Sequence, residues 1–235
     1  MIEALPASYD PTRDAMHALA EHVLAAARFR TDKHIGLVPT AGGFGTPSFG
    51  DGERVRVDGV ELVHERPGTS TRVGITTLTA AAQFVGIPLG APTEAYTPAT
   101  SYPADEPLTV RADGARALAA WFAFGEGLLD ELREAYPSQE PSAPTIWPEH
   151  FDLACEIGSG DAGTRANYGA SPGDSAIPEP YLYVGPWDAS RRTGMLGTYA
   201  FGAAITYAEL LASGDPRGRA LDFGFECAAL LLGAP

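Results

Sequence analysis

Residues 147–157 read WPEHFDLACEI, a run in which polar and apolar side chains alternate. Successive side chains of a β-strand point to opposite faces, so this alternation predicts a strand with one polar and one apolar face. The polar face carries His150, Asp152 and Glu156. The apolar face carries Phe151, Leu153, Cys155 and Ile157. The polar face is typical either of a working site or of a solvated sheet surface, and the alternation fits both.

A second segment with the same period is PYLYVGPWD at residues 180–188. Its alternation predicts a strand with Tyr181 and Tyr183 on one face and aliphatic residues on the other. If the two strands pair and their apolar faces share a core, the tyrosines flank His150 and Asp152. The two strands therefore predict a small-molecule pocket between them.

The residue types at this pocket suit acid–base chemistry without a metal. Residues two apart on a strand place their side chains about 6.6 Å apart on one face, so His150 and Asp152 can converge on a third group. His150 is the candidate general acid or base, with Asp152 to orient it and Glu156 to stabilise charge. The candidate ligand-binding residues on and beside the second strand are Tyr181, Tyr183, Asp174 and Glu179. His34 joins them through a possible duplication of the chain.

Two other interpretations of the polar strand stay open. A histidine with carboxylates can bind a metal ion, but no third ligand at close spacing fixes a coordination geometry. His17 and His22, five residues apart on a predicted helix, are not expected to share a ligand face. The third interpretation is a non-catalytic module whose polar strand faces another subunit of a homo-oligomer. No cofactor is predicted.

The remaining patterns predict an α+β fold, with helices flanking a mainly antiparallel sheet. Apolar residues at helical spacing predict helices at 11–28, 76–87, 114–136, 195–211 and 218–232. The segment ERVRVDGVELVHE at 53–65 predicts a hairpin that turns at Asp58-Gly59. Five prolines make the connector at 88–107 too broken for regular structure.

The order helix, histidine-headed strand, glycine-rich segment, strand and helix occurs twice. The sequence DKHIGLVPTAGGFG at 32–45 can be aligned with PEHFDLACEIGSGD at 148–161. In this alignment His34 corresponds to His150. Duplication and chance similarity both account for such a pattern. The chain is expected to be one domain over 1–235, and a duplication would divide it into halves at 10–90 and 112–212.

The composition argues against several classes of function. A formal charge of −14, with 16 scattered basic residues, argues against nucleic-acid binding. The longest apolar stretch, at 227–235, is too short to span a bilayer, so no membrane contact is expected. Cys155 and Cys227 lie among apolar residues and are predicted to be small core residues. No signal peptide is recognisable, and we expect a cytoplasmic protein from a bacterial source.

Two familiar motifs lack the structural context that they need. GSGDAG at 158–163 matches G-x-G-x-x-G, but no helical period follows that could hold a pyrophosphate. GASPG at 169–173 matches G-x-S-x-G, but the residues after it cannot be helical and no histidine follows His150. The second motif predicts a turn, with Pro172 and Gly173 supplying the backbone angles.

The blocks WPEHFDLA at 147–154 and SPGDSAIPEPYLYVGPWD at 171–188 resemble an uncharacterised bacterial family, a domain of unknown function. Its pattern has Trp-Pro-x-His-Phe-Asp before Ser-Pro-Gly-Asp and Pro-Glu-Pro-Tyr-x-Tyr-Val. A looser likeness covers residues 34–49. The resemblance implies no activity or cofactor, but it favours the polar and aromatic residues of these blocks as the place of a site. They are Trp147, His150, Asp152, Ser171, Asp174, Glu179, Tyr181 and Tyr183.

Overall fold

A computed structural model of the protein describes residues 2–101 and 103–233. These residues form two compact units. The N-terminal unit consists of residues 5–122 and 146–151, and the C-terminal unit consists of residues 2–4, 123–145 and 152–233. The chain folds into helices and two five-stranded antiparallel sheets, so the α+β class predicted from the sequence is confirmed.

The N-terminal unit begins with a continuous helical segment. Helix α1 spans Tyr9–Leu19, a π-helical segment spans Ala20–Ala25, and helix α2 spans Ala26–Asp32. Its apolar stripe is buried, as the helical spacing predicts: Met16, Leu19, Ala20, Val23, Leu24 and Ala27. The segment ends at Lys33, which adopts a left-handed conformation with φ 59°. The predicted helix at 11–28 is therefore present and longer at both ends.

The sheet of the N-terminal unit is a meander of five strands adjacent in chain order. They are β1 Val38–Thr40, β2 Gly43–Gly45, β3 Arg54–Asp58, β4 Glu61–Arg66 and β5 Thr69–Gly74. The predicted hairpin is the pair β3–β4, which turns at Gly59 with φ 62°. Strand β5 lies at the edge of the sheet, and all six of its residues are exposed.

Two further helices flank the proline-rich connector. Helix α3 spans Leu78–Val85, and the Thr77 side chain caps it by accepting a hydrogen bond from the Ala80 N–H. Helix α4 spans Ala112–Ala135. The described residues between 88 and 107 contain no helix or strand, as the five prolines predict.

The second sheet has the order β10-β9-β8-β7-β6. Its strands are β6 Thr145–Trp147, β7 Asp152–Ile157, β8 Ala166–Ser171, β9 Tyr181–Pro186 and β10 Ala203–Thr206. Helix α5 spans Tyr207–Ala212 and helix α6 spans Pro216–Leu232. The apolar face of the sheet contacts α4 so closely that a Cβ at Gly125 would lie 2.5 Å from the Ala170 Cβ. A helix residue without a side chain allows this approach.

Two predictions about this region are corrected by the structure. The segment predicted as a helix at 195–211 contains a short 3-10 turn, strand β10 and only then helix α5. Gly202, with φ 149°, precedes β10 in a backbone conformation that a helix does not allow. Strands β7 and β9 do not pair directly, because β8 lies between them.

Each half of the chain has the same order of elements: a long helical segment, a five-stranded meander and a short helix. The two aligned histidines differ in position, however. His34 precedes the first strand of its meander, whereas His150 follows the first strand of the other. The single domain and the duplication with halves at 10–90 and 112–212 stay predictions. Among the helices described, none has the length and apolar character that crossing a membrane requires.

Candidate functional site

A tyrosine–aspartate pair lies on the polar face of the C-terminal sheet. Asp152, the first residue of β7, is 7% exposed and accepts a hydrogen bond from the Tyr183 hydroxyl of β9. Gly169 of the intervening strand β8 lies opposite Tyr183 in the register. A Cβ at Gly169 would lie 2.4 Å from Cε1 of Tyr183. The tyrosine ring therefore crosses β8 over bare glycine backbone and reaches a strand two positions away.

A second pair lies beside the first. The Tyr181 hydroxyl donates to Oδ2 of Asp174 at 2.6 Å. Oδ1 of Asp174 accepts hydrogen bonds from the backbone N–H groups of Ala176 at 2.7 Å and Ile177 at 2.9 Å, which fixes the carboxylate. The ring centroids of Tyr181 and Tyr183 are 6.0 Å apart, so the two tyrosines share a face, as the alternation predicts.

Phe201 completes this cluster of rings and carboxylates. Its centroid lies 6.0 Å from that of Tyr181, 6.1 Å from that of Tyr183 and 5.3 Å from that of Tyr199. Asp174 is exposed, and the side chains of Tyr199 and Phe201 are partly exposed, so the cluster reaches the protein surface. The tyrosine–aspartate cluster consists of Asp152, Asp174, Tyr181, Tyr183, Tyr199 and Phe201.

Both hydroxyl groups bonded to the carboxylates are held in the protonated form. Burial, with the nearby Asp152 carboxylate as the next cause, raises the pKa of Tyr183 well above 10. Burial and the hydrogen bond to Asp174 raise the pKa of Tyr181. The two phenols therefore act as hydrogen-bond donors to the carboxylates at neutral pH.

Glu156 lies on the same strand face as Asp152 but is held by an ion pair. Its Oε2 is 2.8 Å from Nε of Arg165. The Arg165 guanidinium in turn lies over the Trp187 ring, with its central carbon 5.2 Å from the ring centroid. Glu156 is thus bonded to a neighbouring arginine on the same sheet.

His150 does not lie on strand β7. It is exposed in the turn after β6, because Phe151 has a φ of 53° and extended backbone begins only at Asp152. The prediction that His150 shares a strand face with Asp152 is therefore wrong, although the alternation is correct from Asp152 onward. The catalytic role of His150 stays a prediction.

Two of the predicted ligand-binding residues, Glu179 and His34, do not belong to the tyrosine–aspartate cluster. The Glu179 carboxylate accepts a hydrogen bond from the Ala208 N–H, in the first turn of α5, at 2.8 Å. His34 is exposed and precedes β1. Ser171, from the resembling block, is buried at the end of β8, where its Oγ accepts a hydrogen bond from the Gly173 N–H at 3.2 Å. Gly173 has φ 105°, as predicted for that turn.

A buried carboxylate of the N-terminal unit was not predicted from the sequence. Glu21 lies in the π-helical segment and is 0% exposed. Its Oε1 accepts a hydrogen bond from the Ala99 N–H at 2.8 Å. Its Oε2 accepts from the Thr100 N–H at 2.8 Å and from the Thr100 hydroxyl at 2.5 Å. One side chain of the helix thus holds the proline-rich connector at three donors.

Two histidines approach this Glu21–Thr100 pair. Nε2 of His17 is 3.9 Å from Oε2 of Glu21, and Nε2 of His22 is 3.1 Å from Oγ1 of Thr100. His22 lies within the π-helical segment and His17 precedes it. The prediction that the two histidines do not share a ligand face stays a prediction. Burial lowers the pKa of His17, so its ring favours the neutral form.

These geometries favour different roles for the two groups of residues. The Glu21 carboxylate is occupied by connector donors, which is typical of a structural anchor. The tyrosine–aspartate cluster presents the Asp174 carboxylate and the partly exposed rings of Tyr199 and Phe201 at the surface. Within residues 2–101 and 103–233, no group of three or more histidine, cysteine or acidic side chains is arranged to hold a metal ion.

Comparison of the chain with protein-family models, with curated proteins and with solved structures found no match. The resemblance to an uncharacterised bacterial family, carried by residues 147–154 and 171–188, therefore stays a prediction.

The glycine beneath Tyr183 gives a direct test of the cluster's construction. Gly169→Ala is expected to displace the Tyr183 ring, break its hydrogen bond to Asp152 and destabilise the protein by about 1–3 kcal/mol, measured by urea unfolding. The control is Gly160→Ala, because a Cβ at Gly160 meets no atom within 4 Å. Equal unfolding free energies for the two variants would contradict the proposed path of the ring.

Proposed function

We propose that the protein binds a small organic cation, such as an amine or a quaternary ammonium group, at the tyrosine–aspartate cluster. The observation that carries this proposal is the pairing of two tyrosine hydroxyls with two carboxylates on one sheet face. Each hydrogen bond holds a carboxylate beside the aromatic ring of the tyrosine that donates it. The sequence predicts a small-molecule ligand, and the proposal specifies that this ligand is positively charged.

The chemistry of the cluster supports a cation over an anion. A cation above an aromatic face is attracted by the ring quadrupole, with about 0.5–2 kcal/mol per contact. Asp174 adds a surface charge next to these rings, and such a charge pair contributes up to about 1 kcal/mol. The chain's net charge of −14 acts in the same direction, because it raises the local concentration of cations.

Titration with tetramethylammonium chloride tests the proposal. The readout is the NMR spectrum of protein with isotope-labelled tyrosine rings, with unchanged ionic strength. We expect the resonances of Tyr181, Tyr183 and Tyr199 to shift with one common, saturable dissociation constant. Uncharged tert-butanol has a similar shape and is expected to leave them in place.

The variant Asp174→Asn is expected to weaken binding about threefold to fivefold, as the loss of a surface charge pair implies. Its matched control is Asp161→Asn, an exposed carboxylate in the loop between β7 and β8 of the same unit. Equal weakening by both variants, or equal shifts with tert-butanol, would refute a specific cation site. A polar face covered by a second copy of the chain would give no shifts and a doubled mass in light scattering, which is the assembly alternative.

We also propose that the protein functions in the cytoplasm of a bacterial cell. Cys155 and Cys227 are both buried, and neither forms a disulfide. Burial raises the pKa of each thiol to about 12, which keeps it protonated and unreactive. Unpaired, buried thiols are typical of proteins in reducing compartments, and this supports the location predicted from the composition.

A further inference from the structure

Strand β1 and the turn after it, residues 38–42, form one wall of a cavity of about 600 Å³ in the N-terminal unit. Its volume lies within the range of about 300–1,000 Å³ that is typical of small-molecule sites. The polar residues that line it come from β1, β3 and β4 and from the residue after β2: Thr40, Thr46, Arg54, Arg56, Asp58 and Glu65. The cavity is separate from the tyrosine–aspartate cluster in residues and in chemistry.

Two glycines allow residues of β3 to approach the β1–β2 hairpin closely. A Cβ at Gly45 would lie 2.4 Å from the Cβ of Arg56, and a Cβ at Gly42 would lie 2.3 Å from Oδ1 of Asp58. The Arg56 Cβ and the Asp58 carboxyl group therefore lie against glycine backbone of the hairpin. Any larger residue in place of these glycines would fill the space that the charged side chains occupy.

Arg56 is fixed by two ion pairs on the wall of the cavity. Its Nη1 is 3.1 Å from Oδ2 of Asp58, and its Nε is 3.1 Å from Oε1 of Glu65. Oδ2 of Asp58 also lies 3.9 Å from Nη2 of Arg72. The two carboxylates of the cavity are thus engaged by arginines that surround them.

Arg54 lies two residues before Arg56 on β3, so both side chains point to the same face of the sheet. Glu65 is its cross-strand partner in the register, but the Glu65 carboxylate bonds to Arg56 instead. Arg54 is exposed, and within the described parts of the chain it makes no ion pair. The cavity therefore has fixed walls and one guanidinium whose donors are available.

We propose that this cavity binds a small organic anion whose oxyanion group is held by Arg54. The planar guanidinium offers parallel donors that match a carboxylate or a phosphate, and such charge-assisted pairs are among the stronger hydrogen bonds in proteins. A pocket built on strands of one sheet needs little reordering to receive the ligand. The proposal does not depend on cation binding by the C-terminal unit.

Isothermal titration calorimetry of the whole protein with succinate, inorganic phosphate and neutral succinamide tests this inference. We expect one oxyanion to bind per chain, and succinamide to give no heat beyond dilution. Arg54→Gln is expected to weaken binding at least about tenfold, because it removes the charge-assisted pair. Binding of phosphate alone would assign the site to phosphate-bearing ligands, and binding of succinate to organic acids.

The matched control is Arg66→Gln, which removes the same charge from an exposed arginine at the end of β4, outside the cavity lining. It is expected to leave the affinity unchanged. Circular dichroism before each titration establishes that both variants are folded, as expected for substitutions at exposed positions. Absence of binding by either anion to the unsubstituted protein, or an equal loss of affinity in both variants, would overturn the proposal.

Discussion

Replacing Glu21 with alanine is expected to lower the free energy of unfolding by about 3–5 kcal/mol. The substitution leaves three donors without their acceptor: the N–H of Ala99 and both the N–H and the hydroxyl of Thr100. Each unsatisfied donor that is shielded from water costs about 1–3 kcal/mol. Ala99 is exposed and Thr100 is half-buried, so water recovers part of the sum. Urea unfolding measures the change in stability.

The released connector gives a second readout for the same variant. Limited proteolysis is expected to cleave Glu21→Ala faster within residues 88–107 than the unsubstituted protein, because the anchor to the helix is lost. The matched control is Glu94→Ala, which removes an exposed carboxylate of the same connector. If both variants unfold at the same urea concentration, Glu21 does not anchor the connector.

Phe151→Ala is expected to destabilise the protein by about 3–5 kcal/mol, the usual range for removal of a buried aromatic ring. Phe151 is 1% exposed, and three rings surround it. Its centroid lies 5.1 Å from that of Phe44, 5.5 Å from that of Phe122 and 5.1 Å from that of His17, on which it stacks. Urea unfolding and the near-ultraviolet circular dichroism of the aromatic residues report the loss.

The backbone at Phe151 provides a control that separates packing from conformation. At ordinary positions glycine is less favourable than alanine by about 0.5–1 kcal/mol, but at the φ of 53° found here an alanine is strained. Phe151→Gly is therefore expected to be at least as stable as Phe151→Ala. A glycine variant clearly less stable than the alanine variant would contradict the left-handed conformation.

The period of two in the sequence predicted the strands of the candidate site but not their neighbours. It placed Tyr181 and Tyr183 on one face, and it holds for β7 from Asp152 onward. It failed at His150, because a single left-handed residue reverses side-chain parity and phenylalanine gives no local signal of that conformation. Pairing of β7 with β8 is a property of topology, which alternation within one segment does not encode.

The position of Glu21 in the sequence is a signal of its structural role. Glu21 lies directly beside the buried stripe of its helix, where a charged residue needs buried partners. Those partners come from residues 99 and 100, far along the chain in an irregular connector. Hydrophobic periodicity predicts the helix that contains Glu21, but it does not predict which distant loop will contact the carboxylate.

The exposed edge strand β5 has a practical consequence for work with this protein. Since none of its six residues is buried, the Pro67-Gly68 turn that leads into it lies away from the apolar interior. Inserted sequence at such a turn disturbs few buried contacts. An epitope or a fluorescent reporter placed there would label the protein while sparing both chain termini for purification tags.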